Sequence, residues 1–422
     1  MALGWRFVSE IHALRLTTIL IAALMATASV PALAQTKAER ALHESLVVLD
    51  THFDTPANLS RQGWNVMARH DVLKDGTQVD YPRMVEGGVD GGFFAIFTPQ
   101  GPRGPAGDLA ARDYALVRGL EIHEMVAAHP AQFEIALTPD QALDIARRGK
   151  RFVFLSMENG NPFGHDLSLM KTFYAYGVRM MGPVHFGDNE LGDSATDKPE
   201  WGGLSPLGKQ FVAEANRLGI VLDASHSADS VLDDMLALSR APIILSHSGV
   251  KAVFDHPRNI DDAHLKALAA HGGVIQINAY SAYMIAPTHI PERDAAMAGW
   301  MKEMAAGGRR SEAKMTALMA KKAEIDRKWP VPRANFEDYM KHMLHAIQVA
   351  GIDHVGVSGD FDGGGGVDGL DDVTAYPKIT AALLKAGYSK ADIAKVWGGN
   401  ALRVMHEAQA LAEPAAPVQG EH

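Results

Sequence analysis

The sequence predicts a closed parallel (β/α)8 barrel of the TIM type, with a polar site at the C-terminal ends of its strands. Three observations predict it. Eight apolar runs recur along the chain, several of them rich in Val, Ile and Phe without alternation, as strands buried on both faces require. Stretches with helical periodicity separate most of them, among them "SPLGKQFVAEANRLG", "DDAHLKALAAHGG" and "DYMKHMLHAIQVAG". Six of the eight runs end in a side chain able to bind a metal or move a proton. A doubly wound open sheet is the structural alternative, but no nucleotide-binding fingerprint supports it. "GGLSPLGKQ" has P-loop-like spacing, yet Gln210 stands where Ser or Thr would hold Mg²⁺ and no strand precedes it. It reads as a loop and helix start, with Ser205 as N-cap, Pro206 at the first helical position and Gly219 after the end.

The runs follow in order. "LVVLDTH" (46–52) leads to His52 and Asp54. "GGFFAIFT" (91–98) ends without such a group. "RFVFLSME" (151–158) ends at Glu158, "VRMMGPVHF" (178–186) near His185, and "GIVLDASH" (219–226) at His226. "PIILSHS" (242–248) carries His247, "GGVIQINAY" (272–280) again no such group, and "HVGVSGDFD" (354–362) carries Asp360 and Asp362.

The remaining segments frame the barrel, which the sequence assigns to residues 35–410 as a single catalytic domain. Residues 1–34 read as a secretory signal peptide: Arg6 and Arg15, then the short apolar "LTTILIAALMATASV", then Ala32-Leu33-Ala34 as a cleavage site. An uncleaved anchor is the alternative, disfavoured by so short an apolar region. With no Cys in the chain, neither a lipidated cysteine nor a disulfide is available, which fits export to a bacterial periplasm without crosslinks. An inserted segment of about 281–335 is long for a barrel connection and holds Met-rich, charged helical patterns; it reads as one or two solvated amphipathic helices, with a lid over the mouth as the functional alternative. Residues 411–422 read as a frayed tail.

The formal net charge is −10, and the leader's Arg6, Arg15 and Glu10 contribute +1, which leaves about −11 for the remainder. An acidic surface argues against nucleic acid or an anionic membrane as main partner.

Taken singly, a His or Asp after an apolar run is as readily a structural or capping residue as a ligand. Together, three imidazoles and three carboxylates converging on one barrel mouth would repel one another and suffer desolvation without a cation. Mixed His and carboxylate ligands without thiolate suit Zn²⁺ or a similar divalent ion. His52 and Asp54, two apart, project from the same side of a strand; Asp50 shares that parity but lies deeper and reads as an outer support. One metal is satisfied by His52, Asp54 and a carboxylate, so His226 and His247 call for a second. Glu158 can bridge the two, roughly 3.5–4 Å apart, beside a hydroxide. His342 and His345 have helical ligand spacing but fall within a crossover helix and read as structural. Gly363–Gly366 reads as tight backbone at the rim rather than a phosphate cradle.

The set "LDTHFDTP", "SMENG", "GVRMMGPVHFGDN", "GLSPLGKQFVAEANRLGIVLDASHS", "APIILSHSGVKAVFDHPRN", "DHVGVSGDFDGG" and "WGGNALRVM" resembles the membrane (renal-type) dipeptidases, binuclear zinc peptidases with an amidohydrolase-like barrel, over about residues 45–408. The resemblance implies a zinc-dependent dipeptidase that cleaves dipeptides, including those with a C-terminal D residue, by a metal-bridging hydroxide. It implies two Zn²⁺ or similar ions, with His52 and Asp54 on the first, Glu158 bridging, and His226 and His247 on the second. Asp360 then sits at the first metal as general acid/base, His185 hydrogen-bonds the oxyanion, and Arg258 grips the substrate's C-terminal carboxylate. Bidentate carboxylate binding suits an arginine; without the resemblance Arg258 reads as a surface residue near a helix start. Phe53 and Thr55 depart from the neighbours expected beside the His-x-Asp pair. The cysteines that crosslink animal relatives are absent, which leaves a non-covalent homodimer as the compatible assembly. Two other readings stay open: an amidohydrolase on N-acyl amino acids, lactones or phosphoesters, and a non-catalytic periplasmic metal- or peptide-binding protein.

Overall fold

All eight apolar runs form strands, and two further strands too short to show a period join them. The structure, a computed structural model, describes residues 36–306 and 310–413. The expected signal peptide therefore lies outside the described residues, as does residue 414 onward of the expected tail. The strands are β1 (Leu49–Phe53), β2 (Gly91–Phe97), β3 (Phe133–Ile135), β4 (Arg151–Glu158), β5 (Val178–Met181), β6 (Val221–Leu222), β7 (Ile244–Val250), β8 (Asn259–Ile260), β9 (Val274–Ile277) and β10 (Val355–Val357). Every pairing between them is parallel. One arc runs β1-β2-β4-β5-β6 and the other β10-β9-β7, with β3 added beside β4 and β8 beside β7. Parallel bridges Asp223↔Ile244 and Phe53↔Phe361 join the arcs. Eight strands thus run in chain order around a nearly closed TIM-like barrel.

Alternation along the strands builds two cores. Leu49, Phe93, Phe154, Met180, Val221, Ile244 and Val274, one from each of seven strands, meet in one cluster, sealed by Val404 and Met405 of the C-terminal helix. Meeting from all sides of the ring places them on the axis, as one layer of a packed barrel interior. Their chain neighbours Val48, Phe94, Val153, Leu155, Leu245 and Ile275 belong to the second cluster, between strands and helices.

The connections follow local signals. Ser205 Oγ accepts hydrogen bonds from the Leu207 and Gly208 N–H groups at 3.1 and 3.0 Å, Pro206 opens the helix Pro206–Leu218, and Gly219 closes it at φ 73°. The long connection after β9 holds the helices Pro291–Ala305 and Glu312–Lys328. The second packs on the short helix Val72–Asp75 and is fastened to the loop after β1: Gln62 N–H donates to Arg310 O at 2.8 Å, and Arg61 pairs with Glu312 at 2.8 Å. Near the C-terminal end of the described residues, Glu413 N–H donates to Arg217 O at 3.0 Å.

Candidate metal centre

Glu158 ends β4 with its carboxylate between two groups of imidazoles. Its Oε2 lies 3.5 Å from His52 Nε2, while its Oε1 lies 3.0 Å from His226 Nε2 and 3.3 Å from His247 Nε2. His52 Nε2 is 3.2 Å from Asp54 Oδ2, and the possible ligand atoms of His52, Asp54 and Asp360 lie within 4.8 Å of one another. His226 Nε2 and His247 Nε2 are 2.8 Å apart. His185 reaches the same carboxylate at 3.8 Å. The structure therefore brings together His52, Asp54, Glu158, His185, His226, His247 and Asp360 from six strands and the loops that follow them, His52 and Asp54 coming from β1 and the residue after it.

Strict alternation does not deliver the ligands; irregular strands do. Leu49 faces the axis and Phe53 the outer core, and the register of β1 against β2 shifts between Asp50 and Phe53. The same occurs in β7, whose register against β9 shifts between Leu245 and Ser248, on either side of His247. Such irregularities re-aim a side chain, here an imidazole, into the mouth. His226 and Asp360 themselves adopt left-handed backbone, at φ 68° and 51°, and so do Asn159 at 73° and Asp362 at 70°. Each such conformation costs on the order of 1–3 kcal/mol and persists where its surroundings fix it. Gly363 lies against the site because a Cβ there would strike the Asp54 and Asp360 carboxylates.

The electrostatics call for a cation. Burial pushes the Asp360 carboxyl up to about 7; His52 pulls it down while Asp54 and Glu158 raise it further. Burial opposes charge on His52, yet Glu158 and Asp54 hold it well above its ordinary value. Burial, and then the charges of Arg258 and His52 respectively, keep His226 and His247 well below theirs. A proton on His52 thus balances carboxylates that a metal would otherwise neutralise, and the neutral His226 and His247 are in the ligating form. Three Nε2 atoms and three carboxylates, with one Glu158 oxygen toward each group, fit a binuclear divalent site of N/O donors. His226 Nδ1 is buried with no partner, so this imidazole's ligating nitrogen is its only engaged one.

Arg258 is not the surface residue that its local sequence suggests. It is 3% exposed; Nη2 donates to His247 O at 3.0 Å, the guanidinium stands 5.3 Å from the Tyr283 ring centroid, and Nε has no partner. No carboxylate lies within ion-pair distance of it among the described residues.

Other sequence candidates have structural employment. Asp50 accepts from the backbone N–H of His52 at 2.8 Å and of Gly359 at 2.9 Å, and from the Tyr376 hydroxyl, tying β1 to the loop after β10. Asp362 points away from the cluster and accepts from Thr55 Oγ1 and Gln78 N–H, both at 2.7 Å, which accounts for the unexpected Thr55. His342 Nδ1 accepts from Val250 N–H at 3.1 Å, and His345 pairs with Asp262 at 2.7 Å. Residues not singled out from sequence complete the site. Asn278 Nδ2 donates to Asp360 Oδ2 at 3.1 Å from the end of β9, and the Tyr280 and Tyr283 rings meet beyond it, tilted at 44° with centroids 4.5 Å apart. Phe97 and the half-exposed Phe186 flank the His185 ring at 4.7 and 4.0 Å. An Asn among "QINAY" was the one available signal for the seventh strand's contribution.

The chain is similar to known proteins along most of its length. The family model described as membrane dipeptidase (peptidase family M19) matches residues 36–418. The chain is 30% identical over 341 residues to the dipeptidase tcpJ of Claviceps purpurea (strain 20.1), covering 79% of this chain and 70% of the relative. The crystal structure of the probable dipeptidase PvdM from Pseudomonas aeruginosa superposes with a TM-score of 0.74 at 34% identity, covering 89% of this chain and 98% of that one. A metallo peptidase from Rhodobacter sphaeroides, liganded with a phosphinate mimic of the dipeptide L-Ala-D-Ala, superposes with a TM-score of 0.68 at 25% identity, covering 86% and 99%.

Proposed function

Because this chain belongs to the membrane dipeptidase family, peptidase family M19, and is a metallo-dipeptidase hydrolysing peptide bonds, we propose that it cleaves free dipeptides at a site of two Zn²⁺ or similar divalent ions, including dipeptides with a C-terminal D residue. The observation that carries the binuclear reading is the Glu158 carboxylate, with Oε2 toward His52 and Oε1 toward His226 and His247. His52 and Asp54 would hold one ion, His226 and His247 the other, with Asp360 at the first. The ions, when bound, supply Lewis-acid polarisation of the peptide carbonyl and acidify the attacking water.

The chain's own residues supply the rest. Asp360, oriented by Asn278, takes the proton of the attacking water and hands it to the leaving amine as the C–N bond breaks. His185, held between Phe97 and Phe186, donates a hydrogen bond to the oxygen on which charge develops. Arg258 binds the substrate's terminal carboxylate; its burial without a carboxylate partner supports this role, since an uncompensated buried cation is costly. A free carboxylate one residue beyond the scissile bond selects dipeptides over longer peptides. The tolerance of a D residue is supported by the L-Ala-D-Ala mimic bound by the Rhodobacter relative. Export to the periplasm rests on the sequence of residues 1–34, and fractionation of cells carrying the tagged full chain tests it. None of the described helices is long and apolar enough to cross a membrane.

Hydrolysis of matched L-Xaa-L-Xaa and L-Xaa-D-Xaa dipeptides, alongside their tripeptide extensions, tests the substrate assignment. Turnover of both dipeptide series and not of the tripeptides is expected. Preference for tripeptides, or hydrolysis of N-acyl amino acids alone, would overturn it.

A further inference from the structure

His247 is the one imidazole of the cluster whose second nitrogen enters a buried hydrogen-bond chain. His247 Nδ1 lies 2.8 Å from Ser246 Oγ, which lies 2.5 Å from Asp223 Oδ2. Asp223 also accepts at its other oxygen: Oδ1 receives the Ser225 N–H at 2.9 Å and the Ser246 N–H at 3.0 Å. All three residues are buried, Asp223 at 5%, Ser246 at 0% and His247 at 1% exposure. Two backbone N–H groups on Oδ1 fix which carboxylate oxygen meets the serine.

Proton counting sets the direction of the chain. A carboxylate only accepts, so the single Ser246 hydroxyl proton goes to Asp223 Oδ2. Ser246 Oγ then faces His247 Nδ1 as an acceptor, and Nδ1 carries the proton. The neutral imidazole has one ring proton, so Nε2 is left with its lone pair directed at Glu158, 3.3 Å away. His226 has no such support, its Nδ1 being buried and unpartnered.

We propose that Asp223 and Ser246 are positioning residues that lock His247 in its ligating tautomer through a serine relay, and that this relay sets the affinity of the metal held by His226 and His247. The inference rests on the binuclear reading of the site. Outer partners of this kind govern metal affinity by 10–100-fold in other sites. Here the relay makes two isosteric changes differ. Ser246→Ala removes the acceptor and leaves the tautomer free. Asp223→Asn keeps Oδ1 under the two backbone N–H groups and so turns its NH2 toward Ser246 Oγ. The serine, now receiving a proton, donates its own to His247 Nδ1, which forces the proton onto Nε2. The wrong tautomer is then imposed rather than merely permitted.

The test is a Zn²⁺ competition titration of the full folded protein and of both variants, with the Co²⁺ absorption spectrum as a second readout and circular dichroism as the fold check. Two binding events are expected in the wild type. In Ser246→Ala one equivalent should lose about 10-fold in affinity, and in Asp223→Asn the same equivalent about 100-fold, the other staying within about 3-fold. The Co²⁺ bands of one site alone should change. Wild-type affinity at both sites in Asp223→Asn, or equal weakening of both metals in both variants, would overturn the relay. A wild type that binds a single ion would instead overturn the binuclear reading beneath it.

Discussion

Replacing Arg258 by Met probes substrate recognition with little structural disturbance. The guanidinium hydrogen-bonds to two neutral partners, His247 O at 3.0 Å and the Tyr283 side chain, whose ring centroid lies 5.3 Å away. Nε has no partner, which leaves it available to a carboxylate. Two charge-assisted hydrogen bonds in a buried site are worth about 1.5–3 kcal/mol each, or about 3–6 kcal/mol together. At about 1.4 kcal/mol per decade, kcat/KM for a dipeptide should fall about 10²- to 10⁴-fold. The same dipeptide as its C-terminal amide offers no carboxylate, so wild type and variant should hydrolyse it within about 3-fold of each other. Thermal unfolding should show the variant as stable as the wild type or more so, because a buried cation without an anion has been exchanged for an apolar chain of similar length. Equal losses on acid and amide would refute carboxylate recognition and assign Arg258 a purely structural role. No loss on either would place the carboxylate elsewhere.

Two other outcomes follow from named contacts. Asp360→Asn should lower kcat about 10²- to 10⁴-fold while the protein still folds and binds substrate, since the amide keeps the shape but cannot cycle a proton; steady-state kinetics with matched circular dichroism checks this. His43, buried against Trp397 with hydrogen-bond partners Thr380 Oγ1 at 2.7 Å and Gly87 O at 2.8 Å, is pushed by burial down to about 4 from its ordinary 6.5. The unfolded chain takes up a proton below 6.5 that the native state resists until about 4. Stability from this group is therefore full above 6.5, falls between 6.5 and 4, and levels off below, a loss of about 3 kcal/mol. Urea unfolding of wild type and His43→Gln at pH 7 and pH 4 should show the wild type losing that much more than the variant; parallel losses would contradict it.

The barrel was legible because each of its eight strands, even the short β6 and β10, lies within a longer apolar run, and the positions of His52, Glu158, His226, His247 and Asp360 toward the ends of those runs followed from chain order alone. The strands β3 and β8, of three and two residues, carry no period to read. The parity of His52 and His247 was not legible in full, because it depends on register shifts in β1 and β7 that only pairing with neighbours reveals. Asp362 and Asp360 look alike in "GDFD", yet one faces the cluster and the other Thr55 and Gln78. Both positions have left-handed backbone, which the two-residue period of a strand does not foresee. Asn278 and Asp223 escaped because each acts on a ligand from another strand, Asp223 through Ser246, a relation that exists only in three dimensions.

A metal count paired with activity tests the central claim most directly. Protein loaded to saturation should carry two divalent ions per chain by elemental analysis, and chelator should abolish dipeptide hydrolysis in step with their removal. Readdition should restore it, and anomalous scattering should place both ions against Glu158, one beside His52 and one between His226 and His247. Full turnover by verified metal-free protein, or ions bound away from Glu158, would contradict the account.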